Sequence, residues 1–125
     1  MKKKIYYHDT DCGGVVYYAN YLKFLEEART EYLAQKSVSV KELAEEGRLF
    51  VVSRQEIDYK VPAVYGDTLQ LDTRITKITA VRIEFEYEIK NQRHQLIAWA
   101  KTTLVCVDRN LKPQPILEAV RKKLE

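Results

Sequence analysis

The sequence has few of the residues from which disulfide frameworks and metal centres are built. It contains two cysteines and two histidines in 125 residues, and Cys12 and Cys106 lie far apart, without CxxC spacing or a neighbouring histidine cluster. A disulfide or a zinc site is therefore not expected, because both need clustered ligands or an oxidising compartment. Reduced thiols are usual in the cytoplasm, so this cysteine usage predicts a cytoplasmic protein.

Long apolar runs are also missing, and no stretch approaches the roughly 18 apolar residues of a membrane-spanning helix. The start, Met-Lys-Lys-Lys, resembles the basic region of a signal peptide. His8, Asp9 and Asp11 interrupt the place where its apolar region would follow. We therefore expect neither an integral membrane segment nor export.

No strong charge of one sign is present, since the formal net charge is +3. A small positive charge suits a small anionic ligand. The sequence lacks the clustered basic residues expected of a nucleic-acid-binding protein. Hydrophobic residues make up 46% and charged residues 31%, as in globular proteins. There are no repeats, linkers or low-complexity stretches, so the sequence predicts one domain over residues 1–125.

Hydrophobic periodicity predicts the elements of secondary structure. Tyr21, Leu25, Ala28 and Tyr32 recur at helical spacing, whereas residues 81–90 alternate between apolar and charged side chains without error. The predicted elements are a strand at 5–7, a loop at 10–14, a long helix at about 18–35, a helix from Ser39 to Glu46 ended by Gly47, strands at 50–61, 68–79, 81–90 and 95–107, and a helix at 116–124.

This order predicts an α+β fold in which a curved five-stranded antiparallel sheet wraps around one long central helix. The four long strands are expected to form a meander, because short turns connect antiparallel neighbours. The long helix is the only element large enough to cover one face of the sheet. Long edge strands invite pairing with a second copy, so a symmetric dimer is expected.

The best candidate for chemistry is Asp11, which together with Asp9 precedes Gly13, Gly14 and the long helix. Asp9 is interpreted as a residue that belongs to the loop or supports Asp11. A carboxylate can attack an acyl carbon or activate water, and N–H groups at a helix start can stabilise an oxyanion. The seven-residue separation allows the loop to return, so that the amide of Tyr18 faces the same carbonyl as Asp11. The alternative is that both aspartates only bond their own turn.

Other reactive groups give weaker signals. His8 is interpreted as a surface residue, and a thiolate at Cys12 is disfavoured beside two carboxylates. Tyr17 and Tyr18 are candidates for lining an acyl pocket, whereas Tyr21 is predicted to belong to the core. The chain lacks G-x-S-x-G, G-x-G-x-x-G and Walker motifs, so neither a serine nucleophile elbow nor ATP or NAD binding is supported.

Several segments of the chain match the sequence pattern of a known family. They are Tyr7-His8-Asp9-Thr10-Asp11-Cys12-Gly13-Gly14-Val15-Val16-Tyr17-Tyr18-Ala19-Asn20-Tyr21, then Phe24-Leu25-Glu26-Glu27-Ala28-Arg29, Glu56-Ile57-Asp58-Tyr59, Pro62-Ala63 and Gly66-Asp67. With these segments the chain resembles the hot-dog fold acyl-CoA thioesterases, and more closely the branch of the 4-hydroxybenzoyl-CoA thioesterase and the bacterial Tol-Pal-associated thioesterase (YbgC type). The resemblance covers nearly the whole chain.

The resemblance implies hydrolysis of an acyl-CoA thioester to a free acid and coenzyme A. Asp11 matches the catalytic carboxylate, which acts either as a nucleophile or as a base toward water. Tyr18 matches the position whose backbone N–H polarises the thioester carbonyl; many members of this branch carry His there, so only the backbone role is transferred. The supporting or substrate-binding residues implied are Tyr7, Gly13, Gly14, Val15 and Tyr17.

The resemblance further implies a homodimer or a tetramer, with active sites at the subunit interface, and no metal or bound cofactor, since coenzyme A is part of the substrate. Basic side chains would meet its phosphates. A hot-dog protein that binds acyl-CoA or a lipid without hydrolysing it is the alternative. A hot-dog dehydratase is disfavoured, because the differently placed His–Asp pair of those enzymes is absent.

Overall fold

A computed structural model describes all residues of the chain, 1–125. It contains one five-stranded sheet, three α-helices and one 3-10 turn. The strands are β1 (Lys2–Lys4), β2 (Leu49–Tyr59), β3 (Thr68–Ile78), β4 (Arg82–Lys90) and β5 (Leu96–Val107); the helices are α1 (Asn20–Gln35), α2 (Val40–Glu45) and α3 (Glu118–Leu124), and the 3-10 turn is Tyr7–Asp9.

The sheet is antiparallel throughout, with strand order β1-β3-β4-β5-β2. Only β3, β4 and β5 form a meander, so the prediction of a four-strand meander was wrong. β2 pairs with β5, from Leu49 opposite Val107 to Tyr59 opposite Ala98. Alternation predicts that a segment is a strand but does not identify its partner, which explains the error.

The core lies between α1 and the inner face of the sheet. Phe24, Leu25 and Leu33 of α1 are buried in one cluster with Phe85 and Ile89 of β4. The ring of Tyr32 meets the ring of Phe85 edge-on, with centroids 6.1 Å apart. The predicted arrangement of a sheet around one long helix is therefore confirmed.

The predicted short helix after α1 is also confirmed, because its start and end signals act locally. The Ser39 side chain accepts a hydrogen bond from the Glu42 N–H at 3.2 Å, which satisfies one of the free donors of the first turn. The backbone of Gly47 lies at φ +82°, a conformation that ends helices and favours glycine.

The N-terminal prediction was wrong, since the strand occupies Lys2–Lys4 instead of residues 5–7. Asp9 Oδ2 accepts a hydrogen bond from the Tyr6 N–H at 2.9 Å. This side chain takes a donor that a strand would need and closes the 3-10 turn at Tyr7–Asp9. Two helices also begin two residues later than predicted, α1 at Asn20 and α3 at Glu118.

Residues 60–67 connect β2 at one edge of the sheet with β3 near the other. Ala63 in this crossing is fully buried, and its carbonyl accepts the Val16 N–H at 2.8 Å. Val64 forms an isolated bridge with Val15. The crossing therefore fixes the loop that precedes α1. None of the helices combines the length and apolar character required to span a membrane.

Candidate active site

The loop before α1 is a tight hairpin that carries Asp11 near its tip. Thr10 and Val16 pair as an antiparallel bridge, and the Asp11 N–H donates to the Val15 carbonyl at 2.9 Å. The Gly14 N–H donates back to the Asp11 carbonyl at 3.1 Å, with Gly14 at φ +81°. A glycine is favoured there because most side chains resist this conformation.

The Asp11 side chain is exposed, and its two oxygens have different surroundings. Oδ1 accepts the Gly13 N–H at 2.8 Å, whereas Oδ2 has no hydrogen-bond partner in the chain. A Cβ at Gly13 would lie 3.1 Å from Oδ1, so glycine keeps this approach open. The alternative that Asp11 only bonds its own turn thus holds for Oδ1, whereas Oδ2 is free to contact a ligand.

Asp9 has the opposite environment and is buried. Its backbone carbonyl accepts the Tyr17 N–H at 3.0 Å and the Asn20 Nδ2 at 2.9 Å. Together with the Tyr6 contact, these bonds tie the hairpin to the first residue of α1. Asp9 is a structural residue of the loop, as the sequence indicated.

His8 is a surface residue, as predicted, with 82% of its side chain exposed. Its Nε2 nevertheless lies 3.6 Å from Asp9 Oδ1. Strand geometry would direct these adjacent side chains to opposite faces, but the 3-10 turn brings them to the same side. The contact places a histidine beside Asp9 and not beside Asp11.

Tyr18 lies two residues before the start of α1, and its N–H donates no hydrogen bond within the chain. Ala19, the cap residue between Tyr18 and α1, offers no side-chain acceptor. N–H groups at a helix start carry partial positive charge and seek an acceptor. The amide of Tyr18 is therefore available to an acyl carbonyl oxygen.

Tyr59 of β2 holds this region in place, although the sequence predicted no role in the site for this residue. Its hydroxyl donates to the Tyr18 carbonyl at 3.1 Å, and its ring meets the rings of Tyr18 and Tyr21 edge-on at 6.4 and 5.4 Å. Partial burial raises the pKa of Tyr59. The sequence places Tyr59 in the alternation of a strand, and this is the one sign of its importance. Its contact with Tyr18 spans 41 residues, so neighbouring positions in the sequence do not reveal it.

A pocket of about 260 Å³ opens beside Tyr18. Tyr21 forms its buried side, and burial raises the pKa of Tyr21 to about 12 despite a backbone hydrogen bond from Ala63. The prediction that Tyr21 belongs to the core is confirmed. The residues that line the pocket are Val16, Tyr18, Tyr21, Tyr59, Lys60, Val61 and Pro62.

The remaining predicted residues lie around the hairpin. Tyr17 stacks at an angle on Tyr18, with centroids 5.0 Å apart, and Val15 is held by Val64. Tyr7 is 76% exposed and meets Tyr65 edge-on at 6.0 Å, outside the pocket at Tyr18. The structure thus groups Val15 and Tyr17 with the hairpin and helix start, whereas Tyr7 lies on its outer side.

Comparison with known proteins identifies the fold and the family. The description of the matching family is Thioesterase-like superfamily, and the match covers residues 6–124. Two similar proteins are the acyl-CoA thioester hydrolase YbgC of Escherichia coli, 37% identical over 94% of this chain and 88% of its own, and the acyl-CoA thioesterase YbgC of Haemophilus influenzae, 41% identical over 84% and 77%.

A solved structure, the 1,4-dihydroxy-2-naphthoyl-CoA thioesterase of Synechocystis, superposes with a TM-score of 0.92 at 29% identity, over 99% of this chain and 93% of that one. The fold is therefore the hot-dog fold of thioesterases. The chain belongs to the Thioesterase-like superfamily. The family, the fold and the enzyme class predicted from the sequence, a thioester hydrolase, are confirmed.

Proposed function

We propose that this protein hydrolyses an acyl-CoA thioester to a free acid and coenzyme A. The names of its YbgC relatives and of the Synechocystis structure support an acyl-CoA substrate. The observation that carries the proposal is the hairpin itself. It joins an exposed carboxylate with a free oxygen, at Asp11, to a helix start with a free amide, at Tyr18.

Asp11 is the proposed catalytic residue, and it can act either as a nucleophile or as a base. As a nucleophile, Oδ2 attacks the acyl carbon, the C–S bond breaks, coenzyme A leaves as a thiolate that takes a proton from water, and water hydrolyses the resulting anhydride. As a base, Asp11 removes a proton from the water that attacks the same carbon, the C–S bond then breaks, and the coenzyme A thiolate takes the proton back from Asp11. In both routes the Tyr18 N–H donates to the carbonyl oxygen as negative charge develops there.

The supporting residues shape the site without taking part in bond making. Gly13 and Gly14 keep the turn tight and admit the carboxylate close to the backbone. Val15 fixes the hairpin to the crossing, and Tyr17 and Tyr18 offer rings to the acyl group. Tyr7 supports the outer side of the loop beside Tyr65.

The proposal includes a homodimer, or a tetramer made from it, in the cytoplasm, with the active site at the subunit interface. β2 is an eleven-residue edge strand with one side unpaired. Val52 on this edge and Tyr59 at its end are about half exposed. Such an edge is favourably covered by a second copy of the same chain, which would enclose the pocket at Tyr59.

A non-catalytic protein that binds acyl-CoA or a lipid is the second candidate. It is favoured by one observation, the bond from Gly13 N–H to Asp11 Oδ1, which gives this carboxylate a role in the turn. The free oxygen of Asp11 favours hydrolysis over binding, because binding alone needs no exposed carboxylate at a carbonyl site.

A panel of short, long and aromatic acyl-CoA esters tests the proposal, with release of free thiol followed by a chromogenic reagent. We expect turnover above the rate without protein for at least one class of ester. Rates equal to that background for every ester would overturn hydrolysis. An accompanying rise in melting temperature with the same esters would then establish the binding alternative.

A further inference from the structure

The pocket beside Tyr18 has a closed end, which is formed by Tyr21. Tyr21 is 3% exposed, and its ring meets the ring of Phe24 edge-on, with centroids 5.8 Å apart. Phe24 is itself buried, and Leu25, one helical turn after Tyr21, is fully buried in the same apolar cluster. Protein cores are packed as densely as organic crystals, so a ligand cannot pass this ring without displacing core side chains.

The walls of the pocket are held by contacts within the chain. The ring of Tyr59 lies edge-on to Tyr21 with centroids 5.4 Å apart, and its hydroxyl donates to the Tyr18 carbonyl at 3.1 Å. Val61 also lines the pocket, and its N–H donates to the Ile97 carbonyl at 3.2 Å. The dimensions of the pocket are therefore set before an acyl group binds.

The position of the pocket next to the free amide makes it the place for the acyl chain. The Tyr18 N–H is free and Tyr18 itself lines the pocket, so an acyl carbonyl bound to this amide has its chain beside the lining. Of the seven lining residues, five are hydrophobic. Such a lining favours an aliphatic chain, because each buried methylene group raises affinity about fourfold.

The volume of the pocket determines the length of the chain that it holds. A methylene group takes up about as much space as one molecule in liquid water, roughly 30 Å³. The pocket of about 260 Å³ therefore holds at most about eight carbon atoms. The further carbons of a longer chain stay in water, where they contribute no additional affinity.

We propose that the protein selects acyl groups of up to about eight carbon atoms, and that Tyr21 and Val61 set this limit. The proposal rests on the proposed function, because it requires the acyl carbonyl to bind at Tyr18. It adds the substrate class, short-chain and medium-chain acyl-CoA esters, and two specificity-determining residues. Tyr21 limits the depth of the pocket and Val61 limits its width, and neither takes part in bond making.

The test is kcat/KM for a series of saturated straight-chain acyl-CoA esters, from acetyl-CoA to palmitoyl-CoA. We expect kcat/KM to rise about fourfold with each added methylene group and then to level off or fall at about eight carbons. Values that continue to rise as far as palmitoyl-CoA would overturn the limit. Values that do not depend on chain length would overturn it as well.

Val61→Phe tests the wall, because Val61 is 37% exposed and a larger side chain there fills part of the pocket without entering the core. It should lower kcat/KM for octanoyl-CoA about tenfold and change the value for acetyl-CoA less than about twofold. Leu96→Phe is the control, since Leu96 is 36% exposed at the start of β5 and lies outside the lining. The control should change neither value, and an unchanged ratio of the two values in Val61→Phe would contradict the role of Val61.

Tyr21→Leu tests the closed end. It removes the ring but keeps an apolar side chain in the core, and it should raise kcat/KM for decanoyl-CoA relative to octanoyl-CoA severalfold. A folded Tyr21→Leu variant with the wild-type ratio would rule out Tyr21 as the closed end. If circular dichroism shows that this variant unfolds, Val61→Phe alone decides the proposal.

Binding measurements separate this proposal from the proposed function. If no ester is hydrolysed, calorimetric affinities for the same esters should still level off at about eight carbons and should fall for octanoyl-CoA in Val61→Phe. That result would contradict hydrolysis alone. Hydrolysis with a kcat/KM that keeps rising to palmitoyl-CoA would contradict the length limit alone.

Discussion

Asp9 and Asp11 stand two positions apart and have opposite surroundings. Asp9 is 7% exposed, and its carboxylate and carbonyl together receive three hydrogen bonds. Asp11 is exposed and receives one side-chain hydrogen bond, from Gly13. At the scale of the residue, one aspartate stabilises the loop and the other presents a free oxygen to solvent.

This difference predicts that substitution of Asp9 lowers the stability of the fold more than substitution of Asp11. Asp9→Ala should reduce the free energy of unfolding by about 2 kcal/mol, because the Tyr6 N–H loses a charged acceptor in a partly buried site. Asp11→Ala should change it by less than about 1 kcal/mol, as expected for a surface position. Urea unfolding followed by circular dichroism measures both values. Equal losses would contradict the division of roles.

At the scale of elements, the hydrogen bond from Tyr59 to the Tyr18 carbonyl joins the end of β2 to the start of α1. Tyr59→Phe keeps the ring and removes this bond. We expect kcat to fall about fivefold with KM little changed, because the Tyr18 amide is then less firmly oriented. Tyr65→Phe is the control, since the Tyr65 hydroxyl is exposed and has no partner. Matching kinetics of the two variants would rule out a positioning role.

The contact of Tyr21 with the sheet predicts a dependence of stability on alkaline pH. The pKa of Tyr21 is raised to about 12 in the folded chain by burial, so above pH 10 the unfolded chain binds fewer protons than the folded one. Stability due to this residue is complete below about pH 10 and is lost between pH 10 and 12. Tyr21→Phe should flatten that decline in melting curves, whereas Tyr65→Phe should not.

Across the whole molecule, the two edges of the sheet differ. β1 is three residues long and consists of lysines, which discourages further pairing, whereas β2 is eleven residues long and exposes Val52. Val52→Lys should shift the protein toward monomer in analytical ultracentrifugation and reduce turnover. The control is Leu111→Lys, which replaces another exposed apolar side chain outside β2. This variant should remain assembled. A wild-type protein that is already monomeric would contradict the assembly.

The sequence predicted those parts of the fold that depend on local signals. The Ser39 cap, Gly47 and the strict alternation of β4 specified α2 and β4 closely. The pairing of β2 with β5 was missed, because the alternation of a segment predicts a strand but does not identify the strand it pairs with. A strand was predicted where the Asp9 side chain closes a turn instead.

The sequence predicted the residues of the candidate site that lie on the loop before α1. It did not predict the contacts that distant strands make with this loop. Asp11, the glycines and Tyr18 are neighbours in sequence, so their spacing already placed them on one loop. The contact of Tyr59 with Tyr18 instead joins the end of β2 to the start of α1 across 41 residues. Such groupings depend on the sheet order, which the pattern of a single chain did not reveal.

The most direct test of the central claim is the rate of thiol release by Asp11→Asn with the best acyl-CoA found in the panel. Asparagine keeps the size of the side chain and an oxygen for the Gly13 N–H, but it removes the negative charge. We expect a kcat at least about a hundredfold lower, since nucleophilic or general base catalysis is lost, at unchanged melting temperature and assembly. A folded Asp11→Asn variant with near wild-type kcat would contradict it.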